Sequence, residues 1–398
     1  MKIRKPEYYD SFQCIGSACR DTCCAGWEIE IDEESAERYK RVTGELGERL
    51  RASITETEEE IYFNLQAGRR CPFLNKENLC DLILDQGEEI LCDICREHPR
   101  HYQWFGDYTE VGLGLCCEEA ARLLFRTKGK LTFILEEEQE ESDNHTESED
   151  VEQEEYIERM LDARETAYSI VQNRELPLWE RWMLLLQYGE ELQEALDLED
   201  VDAEKLAVQV YRNQDAVVSA WRQFHQIQGG QKHMAEQRKT AEVSAVTDLR
   251  ELLIVYRDME SLDDTWPALM QDLNENLELY LAEREAYRAA YPEAQPEYEQ
   301  LSMYFLYRYF MEALFDGDIQ GKLQYLVLSV LIIYIMDLKI YQENSAYTRW
   351  DRIQVVKQYS KEIEYCTENM ESLGELCWKN AGMSVEALIG ILEQIIQE

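Results

Sequence analysis

Apolar residues recur at three- and four-residue spacing through the second half of the chain, the pattern of amphipathic helices. Gly229-Gly230, Pro292 and Pro296 separate the periodic stretches. The pattern predicts an all-α domain over residues 157–398, with helices over 177–196, 203–228, 246–259, 265–291, 297–315, 323–341, 352–370 and 384–397.

The most apolar stretch, residues 325–336, is interrupted by Asp337. A bilayer core needs about 20 consecutive apolar residues, so this stretch predicts a buried helix and not a membrane span. The first ten residues, MKIRKPEYYD, are basic at the start but lack the apolar core of a secretory signal. We therefore expect a cytoplasmic protein without a membrane partner.

The first half of the chain has a different pattern, with short elements, several glycines and most of the cysteines. It is followed by EEEQEESDNHTESEDVEQEE, residues 136–155, which is strongly acidic and poor in apolar residues. Such a segment cannot bury enough apolar surface to fold. We therefore expect a cysteine-rich domain over residues 1–127 and an acidic disordered linker over 128–156. The predicted fold class is mainly α: a small cysteine-rich metal- or cluster-binding domain with short irregular elements, followed by the all-helical domain.

The charge balance limits the partners. Lysine and arginine number 40 and aspartate and glutamate 82, which gives a formal net charge of −42. A phosphate backbone would be repelled, so nucleic-acid binding is not expected. The acidity is compatible with simple solubility, and it would also attract a lysine-bearing protein.

Ten of the twelve cysteines precede residue 118. In a reducing cytosol, clustered thiols are more often metal ligands or catalytic groups than disulfides. The last two, Cys366 and Cys377, are expected to be ordinary buried thiols. The ten others form three groups: Cys14, Cys19, Cys23 and Cys24; Cys71 and Cys80; and Cys92, Cys95, Cys116 and Cys117.

The kind of metal is open at this point. Cys92-x2-Cys95 with His98 or His101 nearby favours zinc. The small number of histidines, the number of thiols and the Cys71-Pro72 dipeptide favour an iron–sulfur cluster, with [4Fe–4S] as the preferred form. Ten thiols exceed one four-ligand site. Neighbouring side chains tend to point apart, so adjacent cysteines are expected to have different partners.

Residues 110–115, EVGLGL, are similar to the acidic, glycine-rich turn of nucleotide-binding methyltransferases. The stretch lacks the third glycine, and no βαβ pattern surrounds it. We expect a strand that ends at a metal ligand.

The motif Phe12-x-Cys14-x4-Cys19-x3-Cys23-Cys24-x-Gly26-Trp27 resembles the opening of bacterial cysteine-rich proteins described as zinc- or iron-chelating, whose best-known members are flagellin lysine-N-methylases. The resemblance is dense over residues 12–124 and loose beyond the linker. It continues through CPFL (71–74), LC (79–80), Cys95 with Pro99-Arg100, Cys116 with Glu118, AARLL (120–124), YFLYRYF (304–310) and QVVK (354–357).

This resemblance implies a protein-lysine N-methyltransferase that transfers methyl groups from S-adenosylmethionine to surface lysines of flagellin. It also implies a set of metal ligands: Cys14, Cys19, Cys23, Cys24, Cys71, Cys80, Cys95 and Cys116. Cys92 and Cys117 depart from the family pattern. The catalytic residues and the methyl-donor pocket stay undefined at the level of sequence.

Two other function classes remain open. In the first, the thiols bind a structural metal ion that stabilises a non-catalytic, protein-binding module. Alternatively, the chain would be an iron–sulfur redox or iron-handling protein. Methyl incorporation into flagellin separates the enzyme from both, and a redox-active chromophore separates the last two.

Overall fold

Helices dominate the chain, which confirms the mainly α fold class. The computed structural model describes residues 2–20, 22–57, 60–137, 150–230 and 235–396. The first part contains β1 (Lys2–Pro6), α1 (Glu33–Arg41), α2 (Gly44–Ser53), β2 (Ile54–Glu56), β3 (Ile61–Phe63), α3 (Asp81–Gln86), α4 (Asp93–Glu97), β4 (Arg100–Phe105), β5 (Tyr108–Leu113), α5 (Glu118–Arg126) and β6 (Phe133–Glu137).

The second part is built from helices joined by short turns. They are α6 (Asp150–Val171), α7 (Leu178–Asp197), α8 (Val201–Arg212), α9 (Gln214–Gly230), α10 (Ala235–Arg257), α11 (Thr265–Glu275), α12 (Leu277–Leu281), α13 (Arg284–Ala290), α14 (Ala294–Tyr309), α15 (Ala313–Asp316), α16 (Ile319–Asn344), α17 (Arg349–Tyr359), α18 (Thr367–Lys379) and α19 (Val385–Ile391), with π-helical turns at Ser360–Glu364 and Leu392–Ile396.

Asparagines divide two of the predicted helices. The helix expected over 203–228 is interrupted at Asn213, whose side chain accepts a hydrogen bond from the Ala216 N–H and so caps α9. The helix expected over 265–291 is interrupted at Asn276, whose amide donates back to the Asp272 carbonyl at 3.2 Å. Asparagine side chains compete with the helical backbone in this way.

A four-stranded sheet in the order β4-β5-β1-β6 organises the first part. The central strand β1 runs parallel to β5, with Arg4 opposite Glu110, and antiparallel to β6, with Pro6 opposite Phe133. Residues 108–113 form the strand that was predicted at EVGLGL, and its ending at a metal ligand stays a prediction.

Regular structure reaches into both ends of the predicted linker. β6 lies within residues 128–156 and pairs with β1, and α6 begins at Asp150. The middle of the linker, residues 138–149, lies outside the described residues. The division of the chain into residues 1–127, 128–156 and 157–398 stays a prediction.

Two hydrophobic cores hold the chain together. The larger one joins α5 and the sheet to the helices α6–α19, so the sheet packs as one body with the helical part. The smaller one lies among residues 29–92, around Tyr39, Leu50, Phe63 and Phe73. The first part of the chain is therefore attached to the helices through its sheet, while the segment around Cys71, Cys80 and Cys92 has its own core.

Helix α16 is the central helix of the larger core. By length and composition it is apolar enough to cross a membrane, but 89% of its apolar window is buried inside the protein. This burial confirms the buried helix that was predicted over residues 325–336.

Candidate metal centre

All twelve cysteines are free thiols. The ten in the first part of the chain fall into three environments, which differ from their three groups in sequence. One lies against the smaller core, one lies beside the start of α5, and one lies at the contact with the helical part.

The first environment, the inner thiol group, consists of Cys24, Cys71, Cys80, Cys92 and Cys95. Cys71 and Cys92 are buried within the smaller core, and the other three pack against it. The Cys71 N–H donates to the Cys24 carbonyl at 2.9 Å, which fixes the first cysteine motif beside the second. Cys92 precedes α4 and Cys95 lies in its first turn. Four separate chain segments thus bring their thiols to one small core.

These thiols influence one another electrostatically. Burial, followed by the charges of Cys24, Cys80 and Cys92, raises the pKa of Cys71 to about 12. A hydrogen bond with Cys92 is the main cause that raises the pKa of Cys95, and burial and the thiols of Cys24 and Cys71 add to it. Ionising several of them together is therefore unfavourable without a nearby cation. A bound metal supplies that positive charge and deprotonates its thiol ligands.

The second environment, the outer thiol group, consists of Cys14, Cys19, Cys23 and Cys117. Burial is the largest cause that raises the pKa of Cys117 to about 11, and the charges of Cys19 and Cys14 contribute. The Cys19 thiol also donates to Glu118 Oε2 at 3.6 Å. The opening motif is thereby held beside the N-terminus of α5.

Cys23 and Cys24 lie between the two groups. A hydrogen bond with Cys24 is the main cause that raises the pKa of Cys23, and the charges of Cys117 and Cys14 also raise it. The charge of Cys24 instead raises the pKa of Cys71, Cys80 and Cys95. The two thiols hydrogen-bond with each other but otherwise have different neighbours, and their assignment to different metal partners stays a prediction.

Across the described ranges, no three Cys, His, Asp or Glu side chains converge in a way that could hold a metal ion. A single zinc ion binds four thiolates at about 2.3 Å each, so its ligands must lie very close together. In a cubane each thiolate binds a different iron, which spaces the ligands more widely.

The third environment contains Cys116, which is fully buried. Its thiol lies 3.9 Å from His98 Nε2 and hydrogen-bonds with the Tyr365 hydroxyl. Trp27 stacks on Tyr365 with ring centroids 5.6 Å apart. Burial, and next the charge of Lys361, lowers the pKa of His98 to about 4, so its ring is neutral at pH 7. Cys116 therefore lies between the sheet and the helical part.

A buried polar cluster continues from Cys116 into the helical part. Glu364, at the end of a π-helical turn, accepts hydrogen bonds from the hydroxyls of Tyr304 at 2.8 Å and Tyr309 at 2.7 Å. Arg308 lies 3.5 Å from the same carboxylate and 5.3 Å from the Tyr365 ring. Sequence reasoning did not find Glu364 or Tyr365 as site residues. Their partners Tyr304, Arg308 and Tyr309 belong to the YFLYRYF run at 304–310. This run was the signal in the sequence from which the cluster could have been found.

The glycines of EVGLGL are required by close packing. A Cβ on Gly112 would overlap the His101 ring, and a Cβ on Gly114 would overlap the Tyr365 hydroxyl. Glu110 is occupied by an ion pair with Arg164. The segment therefore connects the sheet to the helical part, and its acidic residue is not free to bind a ribose.

Comparison with known proteins gives a family and three relatives. Residues 164–391, more than half of the chain, match the family model described as FliB lysine N-methylase C-terminal domain. A lysine-N-methylase of Salmonella choleraesuis (strain SC-B67) is 28% identical over 129 residues, and one of Salmonella typhimurium (strain LT2) is 27% identical over 129 residues. Each match covers 29% of this chain and only 31% of the relative.

The third relative is the flagellar biosynthetic protein FliU of Salmonella muenchen. It is 27% identical over 124 residues, which cover 29% of this chain and 73% of that protein. No solved structure matches the chain.

Proposed function

Because the chain belongs to the family of FliB lysine N-methylase C-terminal domains, we propose that it is a protein-lysine N-methyltransferase that acts on flagellin. The family match over residues 164–391 carries this proposal. The names of the relatives support it, since two are lysine-N-methylases and the third is a flagellar biosynthetic protein. The family resemblance of the cysteine motifs supports S-adenosylmethionine as the methyl donor.

In the simplest form of this reaction, the lysine ε-nitrogen attacks the methyl carbon of the sulfonium. The nitrogen–carbon bond forms as the carbon–sulfur bond breaks, and S-adenosylhomocysteine leaves. The lysine must first lose a proton to a base or to water, because its ammonium form has no lone pair. The net charge of −42 favours the approach of a lysine-bearing surface.

We also propose that the thiol-rich part binds an iron–sulfur cluster of the [4Fe–4S] type. The inner thiol group is the better location, because its thiols lie in or against the smaller core and come from four chain segments. The eight cysteines predicted above remain the candidate ligands, and zinc is the alternative, favoured by the neighbouring Cys92 and Cys95. Twelve free thiols also fit a reducing compartment, which supports a cytoplasmic location.

The cofactor is tested on protein purified without air. We expect iron together with acid-labile sulfide and a visible absorbance band. Stoichiometric zinc without sulfide would refute the proposed cluster and indicate a structural zinc site instead.

The activity is tested by incubating this protein with methyl-labelled S-adenosylmethionine and purified flagellin. Label in lysine residues, located by peptide mapping, is the expected result. Flagellin with acetylated lysines is the control and should take up no label. Absence of label from unmodified flagellin, with the metal content intact, would refute the proposed activity.

A further inference from the structure

Strand β4 lies at the end of the sheet and pairs on one side only, with β5. The two strands are joined by Gly106-Asp107, so Phe105 and Tyr108 flank a two-residue turn. The flanking pair of such a hairpin exchanges hydrogen bonds, and the bonded pairs alternate along the strands. At the other end the Gly114 N–H donates to the Pro99 carbonyl at 2.8 Å, which fits the same alternation.

This register determines which backbone groups of β4 remain open. Residues 99, 101, 103 and 105 point their backbone groups toward β5. Residues 100, 102 and 104 point their N–H and carbonyl groups away from the sheet. Within the described ranges no strand pairs with this side of β4.

The side chains along this edge are aromatic and exposed. Trp104 is 66% exposed and Tyr102 36%. Their rings stack in parallel, with centroids 5.8 Å apart and 12° between the planes. Natural edge strands are normally protected by lysine, proline or a bulge. RHYQWF contains neither lysine nor proline, and its six pairs with β5 run without a bulge; its one charged side chain, Arg100 at the start of the strand, lies over the Phe12 ring.

We propose that this edge binds an extended, lysine-bearing segment of the protein substrate as an additional strand. The inference rests on the proposed function for the identity of that substrate. Main-chain hydrogen bonds to a sheet edge provide affinity, and pockets for alternate side chains provide specificity. The stacked rings of Tyr102 and Trp104 offer an apolar platform for the aliphatic stem of a lysine.

Charge selects a basic segment for this edge. The chain carries a net charge of −42. Acidic groups lie at both ends of the strand: Asp107 in the turn is 55% exposed, and the Glu97 carboxylate accepts a hydrogen bond from the Tyr102 hydroxyl at 2.7 Å. Both are paired with a basic residue of the chain, and Arg100 lies in β4 itself, so the net charge of the whole protein is what favours a basic segment.

The exposed edge of β4 begins next to the candidate metal centre. β4 begins directly after His98-Pro99, and His98 lies 3.9 Å from the Cys116 thiol. The His98 ring also contacts Trp27, with centroids 5.6 Å apart. A strand that is added along β4 would therefore run from Trp104 toward Cys116 and the opening cysteine motif.

The test combines hydrogen exchange with kinetics on the full chain, with purified flagellin as the probe. Flagellin should slow amide exchange in residues 100–104. Trp104→Ala should raise KM for flagellin on the order of tenfold with kcat unchanged, because truncating an aromatic anchor removes binding energy. Trp104→Phe should retain most of the affinity. Trp378→Ala, which changes another exposed tryptophan on α18, is the matched control and should leave KM unchanged.

Trp104→Pro tests the backbone separately. Its N–H points away from β5, so proline at this position removes an edge donor without breaking the hairpin. Because proline also removes the ring, KM should rise further than in Trp104→Ala, with an unchanged circular dichroism spectrum; a rise no larger than that of Trp104→Ala would show that the backbone of this edge does not bind the substrate.

The outcomes separate this inference from the proposed function. Normal methylation of flagellin with no protection of residues 100–104 and no change in KM would overturn the edge site alone. Protection by flagellin without methylation would support the edge site and refute the proposed activity. Self-association in the absence of flagellin that Trp104→Ala abolishes would make a second copy of the chain the occupant and overturn the inference.

Discussion

The ion pair between Arg164 and Glu110 is predicted to be a main connection between the helical part and the sheet. Arg164 lies on α6 and Glu110 on β5, and their side chains are 0% and 2% exposed. Arg164 Nη1 donates to Glu110 Oε2 at 2.7 Å, and the second guanidinium nitrogen contacts the other carboxylate oxygen. The guanidinium carbon also lies 5.6 Å from the ring centroids of Tyr168 and Tyr307.

Arg164→Met removes the charge while it preserves most of the aliphatic volume. Removing one partner of a buried pair typically costs about 3–5 kcal/mol, because the other charge is left buried and unpaired. Arg4 remains 3.8 Å from the Glu110 carboxylate and compensates in part. We therefore expect a loss near the lower end, about 3 kcal/mol of the free energy of unfolding.

The assay is urea unfolding of the wild type, Arg164→Met, Glu110→Gln and the double variant. The double variant should be clearly more stable than the sum of the two single losses predicts, because it leaves no unpaired charge. The exposed pair of Lys379 and Glu375, 68% and 69% exposed, is the control. Lys379→Ala should change the stability by less than about 0.5 kcal/mol. A loss below about 1 kcal/mol for Arg164→Met, or strict additivity in the cycle, would refute the reasoning.

Two further predictions concern the thiols and the acidic segment. Cys71→Ala should abolish metal binding and strongly lower the unfolding midpoint, because metal ligation contributes about 10 kcal/mol or more to the folding of small cysteine-rich sites. Cys377→Ala should lower the free energy of unfolding by only about 1 kcal/mol, from lost packing, and should keep the metal. Equal loss of metal in Cys71→Ala and Cys377→Ala would contradict the location of the metal site in the first part of the chain. Replacing residues 140–147 by Gly and Ser at equal length should leave metal content and thermal melting unchanged, because the segment has too little apolar surface to stabilise the fold; a lower melting temperature would show that the acidic segment is structural.

Local periodicity was sufficient to predict most of the helical part. The helix expected over 177–196 is observed as Leu178–Asp197, and the apolar stretch at 325–336 lies inside α16. The breaks at Asn213 and Asn276 depend on single side-chain hydrogen bonds, which periodicity does not register. Of the sheet only the strand at EVGLGL was predicted, because β1 is a short, mostly polar strand and its partners are more than 100 residues away.

In the candidate site, too, the contacts between residues that are distant in sequence were not predicted. The sequence located the cysteines but not their grouping in space. Cys117, which departs from the family pattern, lies with the outer thiol group, whereas Cys116 lies beside Tyr365. Tyr365 and Glu364 are contributed by the distant helical part, and only tertiary packing brings them to the cysteines.

We propose that this chain methylates lysines of flagellin and that it needs its thiol centre to do so. The most direct measurement is peptide mass spectrometry of flagellin that is co-expressed with the chain in a host whose flagellin is unmethylated. The account predicts methylated lysines with the wild type and unmodified lysines with Cys71→Ala, with both chains present in comparable amounts. Unmodified flagellin beside a metal-loaded wild-type chain would contradict it.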